Sequence, residues 1–188
     1  MRYLIASDIH GSAYFCRELL TAFRREGAER LILLGDLLYH GPRNPLPDEY
    51  SPQETASLLN SMSGRVLCVR GNCDSEVDQM MLEFPIMAEY ALMEAGGRLI
   101  YVTHGHIRGR DDPPKLRPGD VLLHGHTHIP ACERLGEIFY LNPGSVSLPK
   151  EGAKRGYAIL ENAVFSWKEL GGAEYMRFDI NSSNAERL

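Results

Sequence analysis

Only four cysteines occur in 188 residues, and Cys16, Cys68, Cys73 and Cys132 show none of the paired CxxC spacings of a structural zinc site. A chain of this size has enough apolar residues to fill a core without a disulfide frame, so reduced thiols are the expected state. No apolar run approaches the length of a membrane span, and the stretch Tyr3 to Ala6 ends at Ser7-Asp8, too short for the apolar region of a signal peptide. A soluble, cytoplasmic protein with no membrane partner is expected. No Lys/Arg-rich run is present and the formal net charge is -5, which argues against stable nucleic-acid binding by broad phosphate neutralisation. An anionic substrate would therefore depend on metal for its attraction. No repeat or low-complexity linker divides the chain. One domain over residues 1–180 is expected, with a frayed polar tail at 181–188.

What is present is a series of short apolar runs: Tyr3 to Ala6, Leu31 to Leu34, Val66 to Val69, Leu99 to Val102 and Val121 to Leu123. Each has the length of a buried strand. Between the first three lie helical patterns, with Phe15, Cys16, Leu19, Leu20 and Phe23 on one face and Ala56, Leu58, Leu59 and Met62 on another. Ser51-Pro-Gln-Glu54 reads as a capping box and opens a helix expected over about 52–62. From Ile86 onward the pattern becomes mainly β, with further strands expected at 137–141, 156–160, 163–167 and 174–180. The fold class is α/β, a layered domain with two sheets.

Side chains able to hold metal fall at the ends of these runs. Asp8-Ile-His10 follows the first run, Gly35-Asp36 the second, Gly71-Asn72 the third, His104-Gly-His106 the fourth and His124-Gly-His126-Thr-His128 the fifth. In open α/β sheets the carboxyl ends of the strands line the ligand crevice, so five strands would deliver these groups to one edge. Any one Asp there reads as a turn or a cap and any one His as a hydrogen-bonded residue. Five strand ends closing on Asp, Asn or His read as a shared metal centre. The donors are oxygen and imidazole nitrogen without thiolate, which suits Mn²⁺, Fe²⁺ or Zn²⁺ in an open catalytic site. Seven side chains exceed the needs of one ion, so two ions about 3.5–4 Å apart, bridged by a carboxylate, are expected.

Asp8-x-His10, Gly35-Asp36, Gly71-Asn72, His104 and Gly125-His126-x-His128 resemble, in order and spacing, the signature of the calcineurin-like metallophosphoesterases. Val69-Arg-Gly-Asn-Cys-Asp74, His40-Gly-Pro-Arg43 and Asn142-Pro-Gly-Ser145 are similar to the small bacterial phosphodiesterases of the YfcE type. The resemblance implies a four-layer α/β/β/α sandwich, two mixed sheets flanked by helices. It implies that Asp8, His10, Asp36 and His128 hold one metal, that Asp36 bridges, and that Asn72, His104 and His126 complete the second. It also implies manganese as the ion, with Fe, Zn, Ni and Mg as alternatives. The reaction implied is in-line attack on a phosphodiester by a metal-bridging hydroxide, giving a phosphomonoester and an alcohol.

Many family members follow the motif asparagine with a histidine that contacts phosphate or protonates the leaving group. Here that position is Cys73, and a thiol near its ordinary pKa of about 8.5 is a poor general acid. His106 is a substitute donor, or else a residue orienting His104. Arg43 is the candidate substrate-binding cation, because guanidinium pairs well with phosphate; Cys73 is placed with it. His40 and Asn44 share the Arg43 loop without being expected as ligands, and Asp74 is expected to cap the helix beginning near Ser75. The alternatives are a phosphomonoesterase using the same site and a non-catalytic protein-interaction scaffold of the same fold. The expected partner is a small-molecule phosphodiester, and a homodimer or higher homo-oligomer is the expected assembly.

Overall fold

The computed structural model describes residues 1–182. A six-stranded mixed sheet contains β1 (Arg2–Ala6), β2 (Arg30–Leu33), β3 (Val66–Cys68), β9 (Gly156–Glu161), β10 (Val164–Glu169) and β11 (Glu174–Asp179), in the order β11-β10-β9-β1-β2-β3. Strands β1, β2 and β3 run parallel, and the others join antiparallel beyond β1. A five-stranded sheet contains β4 (Tyr90–Ala95), β5 (Arg98–Thr103), β6 (Val121–Leu123), β7 (Ala131–Leu135) and β8 (Ile138–Asn142), in the order β4-β5-β6-β8-β7. Here β5, β6 and β8 are parallel and the two edge strands antiparallel.

The alternation of side chains along each strand explains the layers. Leu4, Ala6, Leu31, Leu33 and Cys68 point from the first sheet toward helix α1 (Ala13–Arg25) and helix α2 (Pro52–Asn60). Ile5, Ile32, Leu160, Phe165 and Trp167 point the other way, into a core shared with Ile100, Val102, Val121, Leu123, Phe139 and Leu141 of the second sheet. The expected strands and the two mixed sheets are present. The outer fourth layer is not helical among the described residues: Leu122, Ile138 and Tyr140 pack beside Tyr101 and Leu135 of the same sheet and against Leu116 of the 104–120 segment. That segment holds Pro113, Pro114 and Pro118 and three glycines, which deny it a helix interior.

Helix α1 starts at Ser12, whose hydroxyl accepts from Phe15 N–H. It ends in a Schellman pair, Ala28 N–H to Phe23 O and Gly27 N–H to Arg24 O, with Gly27 at φ +61° where a side chain would be strained. Its face of Phe15, Cys16, Leu19, Leu20 and Phe23 is buried as the periodicity predicts. Helix α2 stops at Asn60, short of residue 62, and a 3₁₀ turn at Ser63–Arg65 follows. Only half of its expected capping box forms. Ser51 accepts from Glu54 N–H, but Glu54 pairs with Arg17 and Ser51 N–H donates to Gly11 O. Helix α3 (Glu76–Met81) carries a complete box between Ser75 and Asp78. Ser75, not Asp74, is therefore the cap. Of the expected tail, Ser182 bonds back to Asp179, and residues 183–188 lie outside the described residues.

Candidate metal centre

The carboxyl ends of β1, β2 and β3 in one sheet and of β5 and β6 in the other open onto the same edge of the sandwich. All seven expected ligand side chains gather there. His10 Nε2 stands 3.2 Å from His128 Nε2, 3.7 Å from Asp8 Oδ1 and 3.7 Å from Asp36 Oδ2. His104 Nε2 stands 3.5 Å from the same Asp36 oxygen, 3.1 Å from Asn72 Oδ1 and 3.2 Å from His126 Nδ1. One carboxylate oxygen thus faces two groups of donors.

The backbone fixes which atoms face inward. His10 Nδ1–H donates to Tyr39 O at 2.8 Å, His128 Nδ1–H to Leu148 O at 2.5 Å and His104 Nδ1–H to Leu34 O at 2.6 Å. A neutral imidazole with its proton on Nδ1 presents a lone pair at Nε2. Two lone pairs at 3.2 Å repel unless positive charge stands between them. Asp8 Oδ1 is buried without a hydrogen bond, although His128 Nε2 lies 3.2 Å away. Its partner oxygen accepts from His126 N–H at 3.1 Å, and Asp36 Oδ1 accepts from Cys73 N–H at 2.8 Å. One oxygen of each carboxylate is tied to backbone and the other is left for a cation, so the residues present fit divalent metal.

The electrostatics of the metal-free protein point the same way. Burial opposes ionisation of Asp8, but His10 and His128, with His104 nearby, hold its carboxyl well below the usual range. Burial disfavours charge on His104 as well, yet Asp36 and Asp8 push it up to about 9. Burial followed by the charge of His104 drives His126 down to about 4 and lowers His106. His106 packs 5.3 Å from the His104 ring. It is neutral near pH 7, so it can donate a hydrogen bond without serving as an imidazolium acid. Cys73 is half-buried, and burial together with the Asp36 charge pushes its thiol far above the ordinary value. It stays protonated.

Five of the seven residues hold left-handed backbone: Asp8 at φ +58°, His10 +52°, Asp36 +56°, His126 +65° and His128 +63°. Such conformations cost about 1–3 kcal/mol each and gather at functional sites. Two sets of contacts hold them. Asp74, 2% exposed, accepts from Gly71 N–H at 2.7 Å, Asp36 N–H at 2.9 Å and Leu37 N–H at 2.9 Å, joining the ends of β2 and β3. On the other side Ser145 Oγ and Ser147 Oγ donate to Asp8 O, while Asn142 Nδ2 donates to Gly125 O and Thr127 Oγ1. Gly71 lies so close to Asp36 that a Cβ there would stand 2.1 Å from Oδ1. A cavity of about 300 Å³ opens beside the centre, lined by Asp36, Asn72, His126 and His128 with Arg43, Cys73 and Lys150. Arg43 and Cys73 therefore lie where the sequence places them, whereas Lys150 and the staple made by Asp74 are additions from the structure.

Residues 1–163 match the calcineurin-like phosphoesterase superfamily domain, and the chain belongs to that superfamily. It is 49% identical over 166 residues to phosphodiesterase YfcE of Escherichia coli strain K12, covering 88% of this chain and 90% of the relative. The solved structure of YfcE, a phosphoesterase from E. coli, superposes with a TM-score of 0.92 over 96% of this chain and 100% of the other, at 46% identity. A probable metallophosphoesterase of Bacillus subtilis strain 168, YsnB, is 32% identical over 85% of this chain and 83% of its own.

Proposed function

We propose that this chain, as one domain over residues 1–180, is a metal-dependent phosphodiesterase working with two divalent ions. The observation that carries it is Asp36 Oδ2 at 3.7 Å from His10 Nε2 and 3.5 Å from His104 Nε2, the arrangement a bridging ligand needs. Asp8, His10, Asp36 and His128 would hold one ion, and Asp36, Asn72, His104 and His126 the other. Bound there, the ions would acidify water and neutralise developing charge on phosphoryl oxygens. Manganese suits the oxygen and imidazole donors, and four free thiols suit a cytoplasmic compartment. Among the described residues no helix is long and apolar enough to cross a membrane.

The chain's own side chains bear on which diesters are favoured. The Tyr39, Leu148 and Leu34 carbonyls hold three imidazoles in one tautomer, so no reorientation precedes binding. Cys73 stands where many family members carry a histidine, with its N–H on Asp36 Oδ1 at 2.8 Å, and a thiol is a poor acid for a poor leaving group. Esters with leaving groups that need little protonation are favoured. The 49% identity to a protein named as a phosphodiesterase supports the same reading. The test is hydrolysis of bis-p-nitrophenyl phosphate against p-nitrophenyl phosphate by metal-stripped protein resupplied with Mn²⁺. Diester turnover is expected to require metal and to fall at least roughly 100-fold in Asp36→Asn. Turnover of the monoester alone would make the protein a phosphomonoesterase.

A further inference from the structure

Among the described residues, two cations on the cavity wall have no counter-ion. Arg43 and Lys150 line the same 300 Å³ space as Asp36, Asn72, His126 and His128, and among the described residues neither enters a salt bridge. Both side chains are exposed, open to a group arriving from solvent, while the backbone that carries them is anchored to the metal centre. Arg43 sits in the turn that follows Tyr39, the carbonyl that fixes His10. Asn44 closes that turn, with Nδ2 on His40 O at 2.8 Å and N–H on Gly41 O at 3.3 Å. A Cβ on Gly41 would stand 3.1 Å from Cys73 Sγ, so the turn lies directly against the site. Lys150 follows Leu148, the carbonyl that fixes His128, and its own N–H donates to His128 O at 3.3 Å.

A phosphodiester carries a single negative charge, which two divalent ions would more than offset even with Asp8 and Asp36 among their ligands. Arg43 and Lys150 are in excess of what the reacting phosphate needs. The cavity opens to solvent beside these two cations, so a second anionic group on the substrate can reach them. We propose that Arg43 and Lys150 form a second anion subsite, and that the substrate class is a small phosphodiester with a carboxylate or phosphate group on one of its alcohol arms. This rests on the phosphodiesterase reading. The guanidinium fork takes either anion through paired N–H donors and the ammonium adds a point charge.

The test uses Mn²⁺-loaded protein and three p-nitrophenyl diesters that share a leaving group and differ in the other arm: n-propyl, 2-carboxyethyl or 2-phosphonoethyl. The kcat/KM for at least one anionic arm is expected to exceed that for propyl by roughly tenfold, mostly through KM. The ratio should fall toward unity in Arg43→Met and Lys150→Met and be retained in Lys150→Arg. Whichever anionic arm is preferred identifies the group recognised. Turnover of the propyl ester with no preference for either anionic arm overturns the subsite and leaves the phosphodiesterase intact, and a preference that survives both methionine variants overturns it as well. Absence of turnover with all three esters overturns the phosphodiesterase reading itself, and the subsite with it.

Discussion

Replacing Asp74 by Asn changes no expected ligand, yet it should loosen the metal centre. The carboxylate accepts from three backbone N–H groups: Gly71 and Asp36 on Oδ2 at 2.7 and 2.9 Å, and Leu37 on Oδ1 at 2.9 Å. An amide has one acceptor oxygen. Placed at the Oδ2 position, it keeps Gly71 and Asp36 and turns its NH₂ toward the buried N–H of Leu37, so two donors face each other. Losing a hydrogen bond to a charged acceptor costs about 1.5–3 kcal/mol, and making the remaining two neutral adds roughly 1 kcal/mol, for about 2.5–4 kcal/mol in all. With a urea slope of about 2 kcal/mol/M, the midpoint should drop by about 1.2–2 M. The assay is urea unfolding of the metal-free protein, where bound ions cannot mask the difference, followed by diester turnover at saturating Mn²⁺. Turnover should fall by at least about tenfold as Asp36 and Asn72 lose their common anchor. An unfolding midpoint within about 0.3 M of wild type, together with unchanged turnover, would refute the idea that Asp74 joins β2 to β3.

Three further outcomes follow from the same contacts. Gly71→Ala would set a methyl group 2.1 Å from Asp36 Oδ1 and 2.4 Å from its backbone nitrogen, so diester turnover should drop about 100-fold even at high Mn²⁺, as kinetics across a metal titration will show. Ser145→Ala combined with Ser147→Ala removes both hydroxyls from the buried Asp8 carbonyl; stability should fall by about 1–3 kcal/mol in thermal or urea melts, with weaker metal binding by calorimetry. Glu26 is buried between Lys168 at 2.8 Å, Tyr157 at 2.9 Å and Arg2 at 3.1 Å. Glu26→Gln should cost about 2–3 kcal/mol at pH 7, below the ~3–5 kcal/mol of a fully enclosed pair, because the cations keep some water contact. Burial alone would raise the Glu26 carboxyl, but Lys168, Tyr157 and Arg2 outweigh it and leave it lowered. Its contribution is therefore complete above the unfolded value of about 4.3 and is lost as pH falls through the lower folded one, so the stability gap between wild type and Glu26→Gln should narrow as pH falls below about 4.3.

That the expected ligand side chains gather at one edge was legible because metal chemistry restricts residue type, and because strand ends are recognisable as apolar runs stopping near Asp8, Asp36, Asn72, His104 and His126. The strands read from alternation and apolar runs are present with small shifts at their ends. Two weaker signals hid the rest. Asp74 reads as a helix cap because it precedes Ser75, and only the three-dimensional approach of β2 and β3 reveals that its carboxylate turns back to three N–H groups. Asn142 and Ser145 each accept from backbone N–H groups two or three residues on, as turn residues do, yet both are wholly buried and the bonds that they donate run to partners at least 15 residues distant. Lys150 carried no local pattern; it enters the cavity because its backbone pairs with His128. The helical fourth layer implied by family resemblance gives way to the proline-rich 104–120 segment, a departure that those prolines foreshadow.

The most direct test of the central claim is anomalous scattering at the manganese edge from crystals of the protein grown with Mn²⁺. Two peaks per chain are predicted, one among Asp8, His10 and His128 and the other among Asn72, His104 and His126, with Asp36 between them. A single peak, or two that do not share Asp36, would contradict the account.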